Sequence, residues 1–474
     1  MFELHHLTAL EQLDWLRRGE VTPLELVDHY LARIERLDTG EGALGAFATV
    51  TPEAARRRAA ALAASPGRAA ALWGLPLADK DLSARAGIRT MFGSRAFAAF
   101  VPEASDEIVE AVDAAGAVSL GKTVAPEFGM PSHSESLVSP PARTPWDPRL
   151  GAGGSSGGAA VAVSAGLLPL APGSDGGGSI RIPAAATGLV GLKPSRGLVP
   201  AGTGFGSPGA LVVPGPLART VADAALLLDA LVEQGDYDSA TRAPGWADGA
   251  YLDAAVRGEG RFNLGATSWS PWAHDFELAP SAETLAALDV ARRELDAIGH
   301  GLEPFDLPPE PEYSDAFRVA WQAGASAIPV EGERLALLEP LTRWLVEAGR
   351  RLPASALVAA QRTLNGVERR TIRAFSRFDA VLMPGMAMTP RPIGWYDHED
   401  PERNFAQQVA YTPWTSFVNV AGLPAISLPV HETAAGLPMA VQLVGRPGGE
   451  RVLLAIGAQL ERRLGWHRRH PPRW

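Results

Sequence analysis

The chain has 474 residues, of which 46% are hydrophobic and 20% are charged, a composition typical of a globular protein with one large domain or a few smaller ones. Its formal net charge of −10 argues against a nucleic-acid-binding surface. The absence of cysteine excludes disulfides, cysteine-ligated metal sites and thiol nucleophiles.

Helical patterns alternate with short apolar runs through the first half of the chain. The first clear helix begins at Thr22, where Glu25 completes a capping box and apolar residues follow at helical spacing. Such alternation predicts an α/β fold with a mixed or parallel sheet. The predicted helices of this half span about residues 22–34, 51–64, 106–115 (capped by Ser105), 161–168 and 220–231, and the predicted strands span 75–78, 118–120 and 189–192.

The second half begins with a weaker pattern over residues 233–280. After it, the predicted helices span 282–298, about 316–375 with interruptions, and about 451–464, and the predicted strands span 380–383, 425–429 and 439–444. Because no internal repeat is visible, we expect a single domain over residues 1–474. Its parts are N-terminal helices (about 1–66), a core (about 67–232 and 376–465) and a less regular, partly helical middle region (about 233–375).

Two long uncharged stretches, residues 150–174 and 404–430, have the length of a membrane span. The first contains clustered glycines and two prolines, and the second is interrupted by prolines and amide side chains. A lipid-exposed helix would not hold together with either content. The N-terminus also lacks the basic start and apolar core of a signal peptide. We therefore expect a soluble, cytoplasmic protein that does not bind a membrane.

Three short patterns match known motifs only in part. Residues 116–123, from Gly116 to Thr123, fit the phosphate loop of nucleotide-binding proteins, but a helix precedes the match and Pro126 follows it closely. Residues 154–158 fit the nucleophile elbow of α/β-hydrolases, but no clear strand precedes them. Ser119 and Lys122 fit a serine–lysine pair whose companion motifs are missing. Nucleotide binding by residues 116–123 stays open as an alternative function.

A stronger pattern joins two glycine–serine segments on either side of the helix predicted at 161–168. The first, residues 151–158, contains Ser155 and Ser156, and the second, residues 173–183, places three consecutive glycines before Ser179. Consecutive glycines let the backbone approach a substrate and point several N–H groups into one space. Such N–H groups would stabilise the oxyanion of acyl transfer, with Ser179 placed to attack.

A serine nucleophile needs a base, and none of the ten histidines lies between His133 and His274. A neutral lysine is the alternative. Only three of the 43 basic residues are lysines, namely Lys80, Lys122 and Lys193. Lysine can lose its proton in a protein, whereas arginine cannot. Spacing alone leaves the three lysines as nearly equal candidates for the base.

These segments and several flanking motifs resemble the amidase signature family. Residues 74–81 (Gly-Leu-Pro-Leu-Ala-Asp-Lys-Asp), 151–158 and 174–183 (Ser-Asp-Gly-Gly-Gly-Ser-Ile-Arg-Ile-Pro) carry the resemblance. The segments at 121–127, 188–194 and 422–429 also fit. The likeness is close over about residues 70–230 and looser over 378–465, and the combination of motifs is far more specific than the three partial matches.

The resemblance implies a single large α/β domain with a mixed, twisted sheet that helices cover on both faces. It implies a mechanism without metal or cofactor, in which Ser179 is the nucleophile and Lys80 is the base. Ser155, after a cis peptide bond, would pass the proton between them. The backbone N–H groups of the oxyanion hole would belong to Gly176, Gly177, Gly178 and Ser179.

Lys122 and Lys193 also match positions of the family, and we assign them structural roles. Asp79 departs from the pattern, because the family usually has an apolar residue there. A charge beside the base would favour protonated lysine. Since neighbouring side chains of a strand face opposite sides, we expect Asp79 to point away from Lys80.

The resulting hypothesis is an amidase that hydrolyses a small-molecule carboxamide to a carboxylate and ammonia or an amine. The glutaminase-like A subunit of a tRNA-dependent amidotransferase is an alternative with the same triad. We expect a monomer or homodimer with no nucleic-acid partner. Substrate determinants are expected in residues 201–211, in the middle region and in 384–415, where Trp395, Tyr396, Tyr411 and Trp414 indicate an apolar or aromatic acyl pocket.

Overall fold

The computed structural model describes residues 3–65, 68–200, 208–233 and 250–474. In these residues the strands form two sheets, and helices cover them. The strands are β1 (Phe47–Val50), β2 (Pro76–Lys80), β3 (Val118–Thr123), β4 (Leu170–Asp175), β5 (Val190–Lys193), β6 (Val213–Ala218), β7 (Asn263–Ala266), β8 (Gly301–Pro304), β9 (Ala380–Pro384), β10 (Ala425–Glu432) and β11 (Pro438–Gly445). The α-helices are α1 (Ala9–Arg18), α2 (Pro23–Leu37), α3 (Pro52–Ala64), α4 (Glu107–Ala114), α5 (Gly157–Ser164), α6 (Arg181–Thr187), α7 (Val221–Glu233), α8 (Ala250–Arg257), α9 (Ala282–Ile298), α10 (Tyr313–Ser326), α11 (Pro340–Arg351), α12 (Ala354–Phe375), α13 (Pro401–Tyr411), α14 (Ser416–Val420) and α15 (Glu450–Leu464).

The larger sheet has eight strands in the order β4-β6-β5-β10-β11-β9-β7-β8. The strand pairs β4–β6, β6–β5, β5–β10, β10–β11 and β11–β9 are antiparallel. The pairs that β7 forms with β9 and with β8 are parallel. This is the mixed sheet that the sequence predicts.

The larger sheet lies between two apolar cores, because successive side chains of a strand point to opposite faces. In β10, Ile426 and Leu428 face Gly457 of α15. Their neighbour Ala425 belongs to a second core, together with Phe417 of α14. Helix α15 contacts both α7 and α9 on its side of the sheet. Helices therefore cover both faces, as expected.

The smaller sheet has three strands in the order β1-β3-β2 and adds to the single sheet that the sequence predicts. Strand β1 pairs with β3 in the antiparallel direction, and β2 pairs with β3 in the parallel direction. Strand β2 also contacts β4 of the larger sheet. This contact brings the carboxyl end of β2, at Lys80, next to the carboxyl end of β4, at Ser174 and Asp175.

A few predicted elements differ from the observed ones for local reasons. The N-cap of α4 is Asp106, whereas the Ser105 hydroxyl accepts the N–H of Ala86 at 3.1 Å. The buried helix predicted at 161–168 is α5, which begins at Gly157 and ends before Gly166, where φ is +64°. The pattern over 316–375 corresponds to three helices, α10 to α12, and the weak region contains α8 and β7.

The two uncharged stretches form short elements. In the first, α5 has eight residues, all of them buried. The second is divided among α13, α14 and β10. Within the described part of the chain, no helix is long and apolar enough to cross a membrane.

Candidate active site

Lys80 is the last residue of β2, and its side chain is buried inside the protein, with 3% exposed. Its Nζ lies 2.8 Å from Ser155 Oγ and 3.0 Å from Ser174 Oγ. The Ser174 carbonyl oxygen lies 3.3 Å from the same Nζ. The amine of Lys80 is therefore in contact with a serine hydroxyl that can exchange a proton with it.

Burial lowers the pKa of Lys80 to about 7, against an opposing attraction from the carboxylate of Asp175. A substantial fraction of this lysine is therefore neutral near pH 7. A neutral amine within hydrogen-bond distance of the Ser155 hydroxyl has the geometry and the basicity of a general base.

Ser155 is held by a segment that leaves no room for neighbouring side chains. A cis peptide bond joins Gly154 to Ser155, as the family resemblance implies. A Cβ atom on Gly154 would lie 2.5 Å from the carbonyl oxygen of His133, so only glycine fits there. The N–H of Ser156 donates to the carbonyl oxygen of Ser179 at 3.1 Å. This bond ties the segment to the loop that carries Ser179.

Ser179 lies in the glycine loop between β4 and α6. It is 9% exposed and lines a narrow cavity. The Ser155 hydroxyl is bonded to Lys80 rather than to Ser179. The structure thus joins Lys80, Ser155 and Ser174 through side-chain contacts, and it places Ser179 beside them through the backbone.

The backbone N–H groups predicted to form the oxyanion hole differ in whether they already have a hydrogen-bond acceptor. The N–H of Gly178 donates to Asp175 Oδ1 at 2.7 Å, which differs from the expectation that it points at the substrate. Among the described residues, the N–H groups of Gly176, Gly177 and Ser179 have no acceptor. Of these three residues, Gly177 and Ser179 line the cavity, whereas Gly178 shapes the loop.

A buried ion pair that sequence analysis missed holds the base of this loop. Arg181 donates to both carboxylate oxygens of Asp175, from Nε at 2.9 Å and from Nη2 at 3.0 Å. Burial acts to raise the pKa of Asp175, but Arg181 holds it well below its ordinary value. Asn419 donates to Asp175 Oδ1 at 2.9 Å and accepts from Arg181 Nη2 at 2.7 Å. The Asp-x5-Arg spacing could have indicated the pair, whereas Asn419 lies too far along the chain to be associated with it.

Thr415 fixes the glycine loop from the other side. Its Oγ1 donates to the carbonyl oxygen of Gly177 at 2.6 Å. Gly178 has a φ of +133°, and a Cβ atom there would lie 2.5 Å from Thr415 Oγ1. The backbone conformation and the close contact both require glycine at this position.

Asp79 points away from the base, as expected. Its carboxylate pairs with Arg85 Nε at 2.6 Å and accepts the hydroxyl of Ser119 at 2.9 Å. Burial acts to raise the pKa of Asp79, but the Arg85 guanidinium keeps it below its ordinary value. The charge beside Lys80 in sequence is therefore neutralised on the opposite face of β2.

The other two lysines are completely buried and contact backbone carbonyls. Lys122 Nζ donates to the carbonyl oxygen of Ser83. Lys193 Nζ donates to the carbonyl oxygen of Pro194 at 2.7 Å. Of the three lysines, only Lys80 contacts serine hydroxyls, and this separates candidates that spacing alone could not.

Aromatic side chains line the narrow cavity of about 60 Å³ that contains Ser179. They are Trp272, Phe317, Trp321 and Phe405. Trp321 and Phe317 stack with their ring centres 5.4 Å apart. The lining of the cavity beside Ser179 is thus largely aromatic and apolar.

The segments in which substrate determinants were predicted contribute unequally to this cavity. From residues 384–415, α13 contributes to the cavity, but none of the four aromatic residues singled out there lines it. Trp414 is buried in an apolar core, and Tyr396 and Tyr411 pack in a separate cluster with Trp395. Residues 201–207 of the predicted loop lie outside the described residues. The middle region contributes Trp272, Phe317 and Trp321 to the lining, but the sequence could not single out these residues because it gives no sign of which face they present.

The three partial motif matches have structural explanations. Residues 118–123 form strand β3 and Lys122 is buried, whereas a phosphate loop needs a flexible turn followed by a helix. The nucleotide-binding alternative is therefore wrong. No strand leads into residues 154–158, and Ser156 is fully buried. Ser119 bonds to Asp79 and not to Lys122.

The model of the Amidase family matches residues 25–454 of the chain. The protein named "Putative amidase AmiB2" of Mycobacterium bovis is 38% identical over 478 residues, which cover 98% of this chain and 97% of that protein. The A subunit of the glutamyl-tRNA(Gln) amidotransferase of Roseiflexus sp. is 33% identical, with 99% of this chain and 98% of that protein covered.

Solved structures agree with this assignment along the whole chain. The 6-aminohexanoate cyclic dimer hydrolase in complex with its substrate has a TM-score of 0.87 and 27% identity, with 99% of this chain and 100% of that chain covered. A bacterial aryl acylamidase of the amidase signature family has a TM-score of 0.84 and 26% identity, with 98% and 97% covered. The chain therefore belongs to the amidase signature family and is a hydrolase that acts on carbon–nitrogen bonds other than peptide bonds.

Proposed function

We propose that the chain hydrolyses small carboxamides through an acyl-enzyme on Ser179, with Ser155 and Lys80 as the proton-transfer pair. The observation that carries this proposal is the 2.8 Å contact between Lys80 Nζ and Ser155 Oγ in a fully buried site. The lowered pKa of Lys80, about 7, supports the role of a neutral amine as base.

In the acylation step, Ser179 Oγ attacks the carbonyl carbon of the amide. Its proton passes to Ser155, whose own proton passes to Lys80 Nζ. The negative charge that develops on the carbonyl oxygen is stabilised by the N–H groups of Gly176, Gly177 and Ser179. Because the Ser155 and Ser179 hydroxyls are not bonded to each other in the structure, bound substrate would draw them together; catalytic hydrogen bonds are often long in free enzymes.

The tetrahedral intermediate then collapses, and the C–N bond breaks. The proton held by Lys80 returns through Ser155 to the leaving nitrogen, which departs as ammonia or an amine. A water molecule then gives one proton to the Ser155–Lys80 pair and attacks the ester carbon. The bond from that carbon to Ser179 Oγ breaks, and the pair returns its proton to Ser179. The carboxylic acid that forms loses its remaining proton to solvent and leaves as the carboxylate.

The acyl pocket favours substrates with an apolar or aromatic acyl group. Four aromatic side chains line the cavity beside Ser179, while its polar lining groups are uncharged. The similarity to a bacterial aryl acylamidase is consistent with such a substrate. Trp321→Ala should therefore lower kcat/KM for benzamide-type amides more than for acetamide-type amides.

The covalent step is tested by Ser179→Ala. We expect kcat/KM for an aromatic amide to fall by about 10⁴-fold or more, since a serine nucleophile is removed. Mass spectrometry after mixing with an activated ester should detect an acyl group on Ser179 of the unmodified enzyme and none on the variant. Circular dichroism provides the control for folding. An acyl adduct on the folded variant would refute the assignment of the nucleophile.

A second candidate function is that of an amidotransferase A subunit, favoured by the 33% identity to the Roseiflexus sp. protein over nearly the full length of both chains. The two functions differ in their dependence on partner chains. Purified on its own, the chain should hydrolyse simple amides with multiple turnovers if it is an independent amidase. Activity with glutamine that appears only in the presence of partner chains would favour the amidotransferase instead.

A further inference from the structure

A second cavity, of about 230 Å³, lies behind the wall of the acyl pocket. Pro131 lines both cavities. Gln408, in the acyl pocket, accepts the N–H of Ser132 at 2.8 Å and donates to Asn404 Oδ1 at 2.7 Å. Asn404 lines the second cavity. A thin wall of hydrogen-bonded side chains therefore separates this cavity from the proposed site of hydrolysis.

The second cavity carries negative charge. Its lining includes the carboxylates of Glu135, Glu339 and Glu399, and no lysine or arginine of the described residues lines it. Glu135 Oε2 accepts the N–H of Gly394 at 2.8 Å and lies 3.3 Å from His398 Nε2. Of the other two carboxylates, Glu339 also interacts electrostatically with His398, and Glu399 is exposed. Three carboxylates therefore line the cavity beside one imidazole that pairs with them, and this excess of acidic groups suits a cation.

Glu339 lines this cavity, and its Oε1 accepts the N–H of Leu137 at 3.0 Å. The pKa of Glu339 is raised to about 7, mainly by burial and to a smaller extent by the nearby carboxylate of Glu127. A bound cation would offset both effects, because it stabilises the ionised carboxylate at short range.

His133 also lines this cavity, near the side chain of Asn404. Its side chain is 3% exposed, and neither ring nitrogen has a hydrogen-bond partner among the described residues. The ring stacks on Tyr396 with centres 4.3 Å apart. Burial lowers the pKa of His133 to about 4, so the ring is neutral near pH 7 and offers one acceptor nitrogen. Since an unpaired buried polar group is costly, a ligand with N–H donors would be stabilised here.

The rest of the lining is apolar and includes Leu137, Leu341 and Ile393. An ammonium group fits the carboxylates and the imidazole acceptor, and a short alkyl chain fits the apolar side chains. We propose that this cavity is a binding site for a short-chain alkylammonium ion. Hydrolysis of an N-alkyl amide releases an amine that is protonated at neutral pH, so the reaction class of this enzyme can supply such a ligand.

The site is tested by calorimetric titration of the full chain with n-butylammonium chloride, with n-butanol as the uncharged analogue. We expect saturable binding of the ammonium ion and none of the alcohol. Glu339→Gln should weaken binding at least ten-fold. Glu402→Gln, which neutralises an exposed carboxylate that does not line the cavity, should bind as the unmodified chain does.

Leu137→Lys covers the case in which Glu339→Gln fails to fold, because Leu137 is 63% exposed at the rim and tolerates a polar side chain. The added cation should weaken binding at least five-fold. Binding should persist in Ser179→Ala, so the result does not depend on the proposed mechanism of hydrolysis. Absence of saturable binding to the unmodified chain, or unchanged affinity in folded Leu137→Lys, would overturn the proposal.

Discussion

Two buried lysines at the ends of two different strands have the same lowered pKa and different surroundings. Lys80 ends β2 and Lys193 ends β5. Burial is the main cause that lowers the pKa of each to about 7. Lys80 contacts the hydroxyls of Ser155 and Ser174, whereas Lys193 donates to the carbonyl oxygen of Pro194.

The difference shows that a lowered pKa does not by itself define a catalytic base. A backbone carbonyl has no proton to give, so a neutral Lys193 has nothing to deprotonate. The Ser155 hydroxyl does have a proton, and its segment is bonded to the loop of Ser179. The neighbours of the amine, and not its basicity, therefore decide which lysine can work in hydrolysis.

The largest expected effect comes from replacing each lysine by methionine, which keeps the length of the side chain and removes the amine. Lys80→Met should lower kcat/KM by about 10⁴-fold, because no other basic side chain of the described residues is bonded to the Ser155 hydroxyl. Lys193→Met should keep kcat/KM within about ten-fold, with any change appearing mainly in stability. Steady-state kinetics with one aromatic amide measure both variants.

Circular dichroism and thermal unfolding control for the folding of both variants. The comparison fails if the two folded variants lose similar amounts of activity, because both lysines would then serve the reaction. It also fails if Lys80→Met retains near-normal turnover.

The family resemblance proposed Lys80, Ser155 and Ser179 because motif segments carry them, and the structure brings those segments close together. It could not identify the bond from Asn419 to Asp175, because contacts between residues 244 positions apart leave no local pattern. The same limit hid the aromatic lining of the acyl pocket, which comes from distant parts of the chain.

Element boundaries show a second, local limit. The helix at 282–298 was predicted to the residue, since Ser281 caps it and Gly299 ends it in a left-handed conformation. At α4, Ser105 and Asp106 are both good cap residues, but the Asp106 side chain makes no cap bond to the helix. Both side chains instead accept backbone N–H groups of an earlier segment, Ser105 from Ala86 and Asp106 from Ala84. Local propensity contains no information about such contacts.

A smaller effect is expected from Ser174→Ala, which removes one hydroxyl contact of Lys80 and leaves the contact with Ser155. We expect kcat/KM to fall by about ten-fold, the equivalent of one hydrogen bond that holds the amine in place. Ser164→Ala is the matched control, because it removes a buried hydroxyl that donates to Thr187, away from the site. If both variants lose the same activity, Ser174 has no role in positioning Lys80.

The smallest expected effect is in the pH profile. Since the base must be neutral, kcat/KM should rise with pH through an inflection near the Lys80 pKa of about 7 and level off above it. The carboxylate of Asp175 attracts both Lys80 and Lys193 and acts to raise the pKa of each. Lys193→Met removes a cation that competes for this carboxylate, so Asp175 would favour protonated Lys80 slightly more. The inflection should therefore move upward by less than about one pH unit. If Lys193 were instead the titrating base, the inflection would disappear from this variant.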